Sequence, residues 1–371
     1  MTSMDEFYMR RALELAKRGA GAVSPNPMVG AVIVRDGRII GEGWHQRFGE
    51  AHAERNALAA CTEDPAGATM YVTLEPCCHY GHQPPCVEAV IAAKISRVVV
   101  GCGDPNPRVA GRGVQILRDA GIYVAENVLA AECQALNRVF MHYISRGMPY
   151  VTLKYAMSLD GKIAACTGES KWITGDAARR HVQQERARNK AIMVGRGTVQ
   201  ADDPRLTCRI PGKPSPLRVI CDTNLSIPLA ANVVRTAPET PTVLVTCCYD
   251  EAKIAAYQAA GCQVWQLPPG ADGHPDLAVL MQKLAAAEID SLLLEGGAEL
   301  AWSMLKVGLV QRVQAYIAPL LLAGRTAKSP LGGEGFPSPA AGVRLQNPVI
   351  SQIGDDFLIE AEVAGNVHRD N

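Results

Sequence analysis

The sequence predicts an α/β fold built as two successive domains, and three observations predict it. At 371 residues the chain exceeds what one hydrophobic core usually organises. Short apolar, β-branched runs alternate with helical patterns along most of its length, the arrangement of an α/β layer. Gly147-Met148-Pro149 breaks that alternation after an apolar and basic stretch at 136–146 and before a fresh strand, so the domains are expected at 1–146 and 150–371.

Residues 4–17 mix Asp5, Glu6, Arg10, Arg11 and Glu14 with Phe7, Leu13 and Leu15, an amphipathic helix. The apolar stretch 27–33 and its return over 39–43 flank Arg35-Asp36-Gly37-Arg38, an Asp-Gly hairpin signal. A helix is expected over 51–61, a strand over 70–74, and a helix over 85–93 that starts at Pro85. The strand 97–100, a loop rich in Gly and Pro, the helix 114–120 and the short strand 121–124 complete the first half. After the boundary come the strand 150–157, the helix 176–189, and strands at 191–194, 217–221, 242–246 and 263–267. The helix 277–287, the strand 291–294, the helix 299–307 and the strand 313–317 follow. Residues 343–349 with 356–363 read as an antiparallel hairpin closing the second sheet. Nothing repeats at a fixed period, and no tract is low in complexity.

Lys plus Arg and Asp plus Glu number 37 each, and the halves on either side of Arg146 are separately neutral. A binder of long nucleic acid carries a basic excess in its binding domain, because neutralising phosphates supplies most of its non-specific affinity. That class is disfavoured. With 48% apolar and 20% charged residues, the composition is that of an ordinary soluble globular chain. The first helix is too polar for a signal h-region, and no uncharged apolar run approaches the length a bilayer requires. The expectation is a cytoplasmic protein with no membrane association. Twelve cysteines in a reducing compartment point to a metal or to catalysis rather than to a disulfide scaffold. Cys61, Cys102, Cys221 and Cys247 read as buried small hydrophobes.

His52-Ala53-Glu54 opens a predicted helix, Glu75-Pro76-Cys77 ends a predicted strand, and Cys86 comes nine residues after Cys77. An imidazole and two thiols can thus converge on one zinc ion and leave its fourth tetrahedral position to water, as catalytic sites do. Cys86 after Pro85 stands in the first turn of a helix, where the macrodipole favours a thiolate. Cys77 is placed by the rigid Pro76. Glu54, two residues past His52, lies about 200° around a helix from it and is read as a proton carrier, not a ligand. Cys78, His79 and His82 stay open as alternative ligands, since spacing does not show which donor points inward. The zinc nucleobase deaminases combine such a metal with a non-ligand Glu. Their second element is usually Pro-Cys-x-x-Cys, and the loop from Cys77 to Cys86 is longer.

Together with Thr73-Leu74-Glu75-Pro76-Cys77, Gly81 to Cys86 and Asp104-Pro105-Asn106-Pro107, these residues resemble the bifunctional riboflavin-biosynthesis deaminase/reductase family. The resemblance implies His52, Cys77 and Cys86 as zinc ligands and Glu54 as the catalytic proton carrier. It further implies that Asn26 and His45 hold the substrate pyrimidine. The implied architecture is a cytidine-deaminase-like three-layer α/β/α domain followed by a dihydrofolate-reductase-like α/β domain.

In the second half, Leu293-Leu294-Glu295-Gly296-Gly297-Ala298-Glu299 is a strand, a glycine pair and a helix start, a geometry in which backbone N–H groups receive a phosphate. It lacks the full Gly-x-Gly-x-x-Gly fingerprint. The segments 154–162, 170–174 and 195–209 resemble the reductase domain of the same family, which uses NADPH. Carried over by position, the cofactor site would involve Ala156, Trp172, Thr198, Asp202 and Thr223, with the pyrophosphate near Gly296, Gly297, Ala298 and Ser303. Ser170, Arg186, Leu206, Arg209 and Glu295 would hold the phosphoribosyl substrate, the two arginines by forking onto its phosphate. Lys154, Asp160 and Glu295 are the candidate general acids.

The activity implied is zinc-hydroxide hydrolytic deamination of 2,5-diamino-6-(5-phosphoribosylamino)pyrimidin-4-one, then NADPH-dependent reduction of its ribosyl group to ribityl. The product would be 5-amino-6-(5-phosphoribitylamino)uracil. The partner is that small phosphoribosylaminopyrimidine, with no nucleic acid and no membrane, and a homo-oligomer is compatible. Two other readings stay open: a nucleic-acid-editing zinc deaminase with an accessory domain, and a zinc-stabilised module without catalysis.

Overall fold

Two units, Met1–Met148 and Pro149–Asn371, make up the computed structural model, which describes residues 3–81 and 83–365. The first is built on five strands: β1 (Gly30–Arg35), β2 (Arg38–Trp44), β3 (Thr69–Leu74), β4 (Arg97–Cys102) and β5 (Tyr123–Ala125), in the order β2-β1-β3-β4-β5. β1 runs antiparallel to both its neighbours, whereas β3, β4 and β5 are parallel. The expected hairpin is present, with Asp36 and Gly37 both at positive φ, as the two central residues of a tight hairpin require.

Glycines set how closely helices approach this sheet. A Cβ on Gly30 would lie 2.0 Å from the Ala12 carbonyl of the helix Ser3–Ala16, and one on Gly43 would lie 2.3 Å from the Ala57 amide of the helix Ala53–Ala59. Gly30 pairs with Trp44 and Gly43 with Ala31, so the two glycines face opposite sides of the pleat. The helices therefore cover opposite faces, giving the three layers expected. Helix Ser3–Ala16 buries Met9, Ala12 and Leu15 and also Asp5, whose carboxylate accepts two bonds from Arg97, at 2.8 and 3.0 Å, and one from the Tyr71 hydroxyl.

The second unit carries a nine-stranded sheet. Its strands are β6 (Tyr150–Ser158), β7 (Ala191–Gly195), β8 (Leu217–Cys221), β9 (Thr242–Thr246), β10 (Gln263–Gln266), β11 (Ser291–Glu295), β12 (Arg312–Ala318), β13 (Leu345–Ile353) and β14 (Asp356–Val363). They are ordered β10-β9-β8-β7-β11-β6-β12-β14-β13. From β10 to β12 all neighbours are parallel, and the predicted β13–β14 hairpin adds two antiparallel strands at the edge. β9 and β11 are buried from end to end, as strands covered on both faces must be. The chain steps outward from β7 to β10 and then returns to insert β11 between β7 and β6. Such a reversal opens a crevice at the carboxyl ends of the strands.

Some expectations change. The helix expected over 51–61 is confined to Ala53–Ala59, because His52 is extended and caps it. The final hairpin's first strand runs to Ile353 rather than Val349, with a bulge between Gln346 and Val349. The stretch 136–146 forms the helix Arg138–Arg146, and the helices Ala130–Leu136, Arg196–Asp202, Asn232–Arg235 and Glu251–Ala259 lie where no helix was expected. Among the described residues, no helix is long and apolar enough to cross a membrane.

Candidate active sites

In the first unit, three donors from three elements meet. His52 caps its helix, Cys77 lies three residues beyond the end of β3 with Glu75-Pro76 between, and Cys86 begins the helix Cys86–Ala92 with Pro85 as its cap. The His52 Nδ1 is 3.5 Å from the Cys77 Sγ and 3.4 Å from the Cys86 Sγ, and the three ligand atoms lie within 4.8 Å of one another. Tetrahedral zinc with ordinary Zn–S and Zn–N bonds would hold such nitrogen and sulfur atoms about 3.5 Å apart. The donor set therefore fits zinc in number, type and spacing. Cys78 is excluded from the group because its thiol turns to the Arg108 carbonyl, and the His79 Nδ1 is buried outside it with no partner among the described residues. His82 lies outside the described residues.

One detail of the sequence reading is corrected: the angular separation of His52 and Glu54 does not hold, since His52 is outside the helix. Between the two sulfurs, the Cys86 thiol and then His52 and the Cys86 amide N–H bond to Cys77 and draw it down, while Cys86, bonded to Cys77, moves up; zinc would take both as thiolates. Glu54 is 3% exposed and within hydrogen-bond reach of Cys86. Burial, followed by the negative charge of Cys77, pushes its carboxyl up to about 7.

Asn26 and His45 border this cluster. The Asn26 Nδ2 donates to the His45 Nε2 at 3.2 Å, the His45 Nδ1 faces the Ala51 carbonyl at 3.1 Å, and the His45 ring stands edge-on to that of His52. Burial lowers the basicity of His45, and the Ala51 carbonyl facing its Nδ1 selects the tautomer with the proton there. Sequence reasoning missed Glu75, which is 4% exposed and accepts the amides of Asp104, Gly111 and Val114. That carboxylate pins the loop between β4 and the helix Arg112–Asp119 beside Cys77. Asp104, in the same loop, is raised to about 6, first by burial.

In the second unit, a cleft of about 1790 Å³ runs across the carboxyl ends of β6, β11, β7 and β8. Every residue assigned from sequence to cofactor or substrate binding in the second unit lines it. Ala156 comes from β6, Thr198 and Asp202 from the helix Arg196–Asp202 directly after β7, and Thr223 follows β8. Glu295, Gly296, Gly297, Ala298 and Ser303 continue from β11 into the helix Ala298–Lys306. Ser170, Trp172, Arg186, Leu206 and Arg209 come from the intervening segments. Gly296 and Gly297 have φ of 75° and 86°, and a Cβ on Gly296 would come within 3.1 Å of the Thr198 hydroxyl. The bare backbone there suits a phosphate. The Ser170 hydroxyl donates to Asp202 at 2.8 Å, and the Arg179 guanidinium covers the exposed Trp172 ring at 4.5 Å.

Three assigned residues are redistributed by charge. Arg186 does not offer its fork to a ligand: its Nε and Nη2 each bond Glu295 at 2.8 Å, and its Nη1 bonds the Thr207 carbonyl. Lys154 approaches Glu295 at 3.9 Å. Burial pushes the Glu295 carboxyl up, but Arg186 and Lys154 overcome that push and hold it at about 2. Glu295 is thus a fixed anion, unsuited to donate a proton. Asp160 lies outside the cleft, where it accepts from the Ser158 hydroxyl and the Leu322 and Ala323 amides. Of the three candidate acids, Lys154 alone is both in the cleft and shifted by desolvation toward giving up its proton.

Comparisons with known proteins follow both halves of the chain. Residues 149–359 match the family described as the RibD C-terminal domain, and residues 2–102 match the cytidine and deoxycytidylate deaminase zinc-binding region. The chain is 50% identical over 360 residues to the riboflavin biosynthesis protein RibD of Actinobacillus pleuropneumoniae, covering 97% of this chain and 95% of that protein. Identity to the RibD of Escherichia coli (strain K12) is 42% over 368 residues, covering 96% and 98%. A solved RibD structure from Acinetobacter baumannii aligns with a TM-score of 0.86 at 40% identity, covering 97% and 99% of the two chains. A diaminohydroxyphosphoribosylaminopyrimidine deaminase/5-amino-6-(5-phosphoribosylamino)uracil reductase from Thermotoga maritima aligns with a TM-score of 0.84 at 37% identity, covering 97% and 99%.

Proposed function

The chain belongs to the RibD family and is a bifunctional deaminase and reductase of riboflavin biosynthesis, and on that premise we propose which residues perform each half of its work. Residues 1–146 would deaminate the diaminopyrimidine, and residues 150–371 would reduce the phosphoribosyl group of the product with NADPH, giving the ribitylamino-uracil phosphate. The observation that carries this reading is the convergence of the His52 Nδ1 with two thiol sulfurs beside a buried Glu54.

His52, Cys77 and Cys86 would hold zinc, which when bound supplies an activated water for addition to the ring carbon that bears the amino group. Glu54, near 7, can both take a proton and hand it on at physiological pH, so it moves protons toward the departing ammonia. The Asn26 amide uses one N–H on His45 and keeps its carbonyl oxygen for an N–H of the pyrimidine. The fixed tautomer of His45 keeps that amide in one orientation.

In the second unit, NADPH would supply a hydride to C1 of the sugar. Its pyrophosphate would lie on Gly296, Gly297, Ala298 and Ser303, and Ala156, Trp172, Thr198, Asp202 and Thr223 would line the rest. Lys154 would deliver the proton that balances the hydride when the ribose ring opens to the chain alcohol. Glu295, held ionised by Arg186, can accept hydrogen bonds from sugar hydroxyls. Arg209 is exposed in the cleft and, with Ser170 and Leu206, would receive the phosphate end of the substrate. The neutral charge balance supports small-molecule substrates over nucleic acid, and twelve free thiols suit a reducing cytoplasm.

Purified protein incubated with the diaminopyrimidine phosphate should release ammonia without NADPH and should oxidise NADPH only after deamination. Oxidation of the cofactor on the undeaminated substrate at the full rate would reject the order of the two steps. Absence of ammonia release from zinc-loaded protein would reject the first site.

A further inference from the structure

The rim of the cleft beyond Thr223 has no role in the reading above. The strand order β6-β11-β7-β8 places the end of β8 three strand spacings, about 14 Å, from the end of β6, where Lys154 and Glu295 mark the reacting sugar. A dinucleotide with its pyrophosphate over Gly296 and Gly297 and its nicotinamide toward β6 therefore brings its adenosine ribose to the loop 223–226.

That loop is bordered by positive charge. Arg196, exposed and lining the cleft, donates from Nη1 to the Ser226 hydroxyl at 3.2 Å, which leaves the rest of its guanidinium open. Among the described residues, no carboxylate pairs with Arg196. The Lys253 Nζ reaches the Asn224 carbonyl at 3.4 Å, and His274 bonds the Thr223 hydroxyl at 2.8 Å. The nearby acids are all turned to local amides. Asp222 is 1% exposed and accepts the amides of Ser226 and Ile227 and the Ser226 hydroxyl. Asp272 accepts the His274 amide, and Asp276 caps the helix Leu277–Ala286. In dinucleotide sites generally, an open acid beside the adenosine ribose binds its 2′-hydroxyl, whereas an arginine accommodates a 2′-phosphate. Here the acid is buried and the arginine faces the cleft.

We propose that Arg196, oriented by the Asp222–Ser226 hydrogen bonds and assisted by Lys253, is the group that selects a 2′-phosphorylated adenine dinucleotide. This rests on the reading that the cleft binds NADPH, and binding of two fragments separates the two ideas. Calorimetric titration of the intact protein with adenosine 2′,5′-bisphosphate and with adenosine 5′-monophosphate should show the bisphosphate preferred by roughly ten- to a hundredfold, the range of a charge-assisted contact. Arg196→Gln should remove most of that preference while leaving the monophosphate affinity unchanged, and Lys253→Gln should lower it less. Failure of wild-type protein to bind either fragment or NADPH would overturn the cofactor reading itself. Equal binding of the two fragments by wild-type protein, or a wild-type preference retained by Arg196→Gln, would overturn the assignment of Arg196 and leave the cofactor reading standing.

Discussion

Replacing Arg186 with Met tests the charge arrangement at the second site. Glu295 is buried and is held at about 2 against an ordinary value of 4.5. At about 1.4 kcal/mol per pH unit, the difference corresponds to about 3 kcal/mol of stabilisation of the ionised form. Removing one partner of a buried ion pair typically costs about 3–5 kcal/mol, because the other is left desolvated. Arg186→Met should therefore destabilise the second unit by about 3 kcal/mol at neutral pH, and Arg186→Met with Glu295→Gln should recover most of the loss. Urea unfolding followed by tryptophan fluorescence reads this directly, since Trp172, Trp265 and Trp302 all lie in that unit. The pH dependence has a fixed sign. The folded value of Glu295 is depressed, so its contribution is complete above about 4.5 and is lost as pH falls toward 2. The wild type should lose over that window what the variant lacks throughout. A single variant within about 0.5 kcal/mol of wild type at pH 7 would refute the reasoning, as that is the size of an ordinary surface change.

Glu54→Gln should retain zinc, measured by elemental analysis, and lose ammonia release by at least about a hundredfold, the lower range for a general acid–base group. Chelation of the metal should abolish deamination and spare NADPH oxidation on substrate that has already been deaminated. Gly297→Asp places a carboxylate where the pyrophosphate is proposed to lie and should weaken NADPH by at least about tenfold, read by quenching of nicotinamide fluorescence, with deamination unchanged. Gly43→Ala forces a methyl group against the Ala57 amide and Ala53 carbonyl. It should destabilise the first unit by about 1–3 kcal/mol in thermal unfolding and lower deamination more than reduction, because the displaced helix carries Glu54.

Much of the fold is legible because its signals are local. The Asp36-Gly37 turn, the buried runs of β9 and β11, and the break at Gly147-Met148-Pro149 each lie within a few residues. The helix Glu251–Ala259 escaped notice because it buries only Tyr257 and so shows little apolar periodicity. Its one clear cue is Asp250, which caps the Ala252 and Lys253 amides. The zinc cluster is readable because proline-framed cysteines and His-x-Glu are unusual in combination. What decides the behaviour of the sites is less readable, because it depends on partners far apart in the chain. Arg186 and Glu295 are 109 residues apart, and Glu75 accepts from amides 29 to 39 residues away.

The insertion of β11 beside β6 also has a consequence for biosynthesis. β6 finds the first of its neighbours, β11, only after about 130 further residues have been made, and the second, β12, later still. At roughly 5–20 residues per second, the nascent chain carries an unpaired apolar strand for about 7 to 26 seconds. The amino-terminal unit has by then left the ribosome with all its own strands in hand, so chaperone demand during synthesis should concentrate on the carboxyl-terminal half.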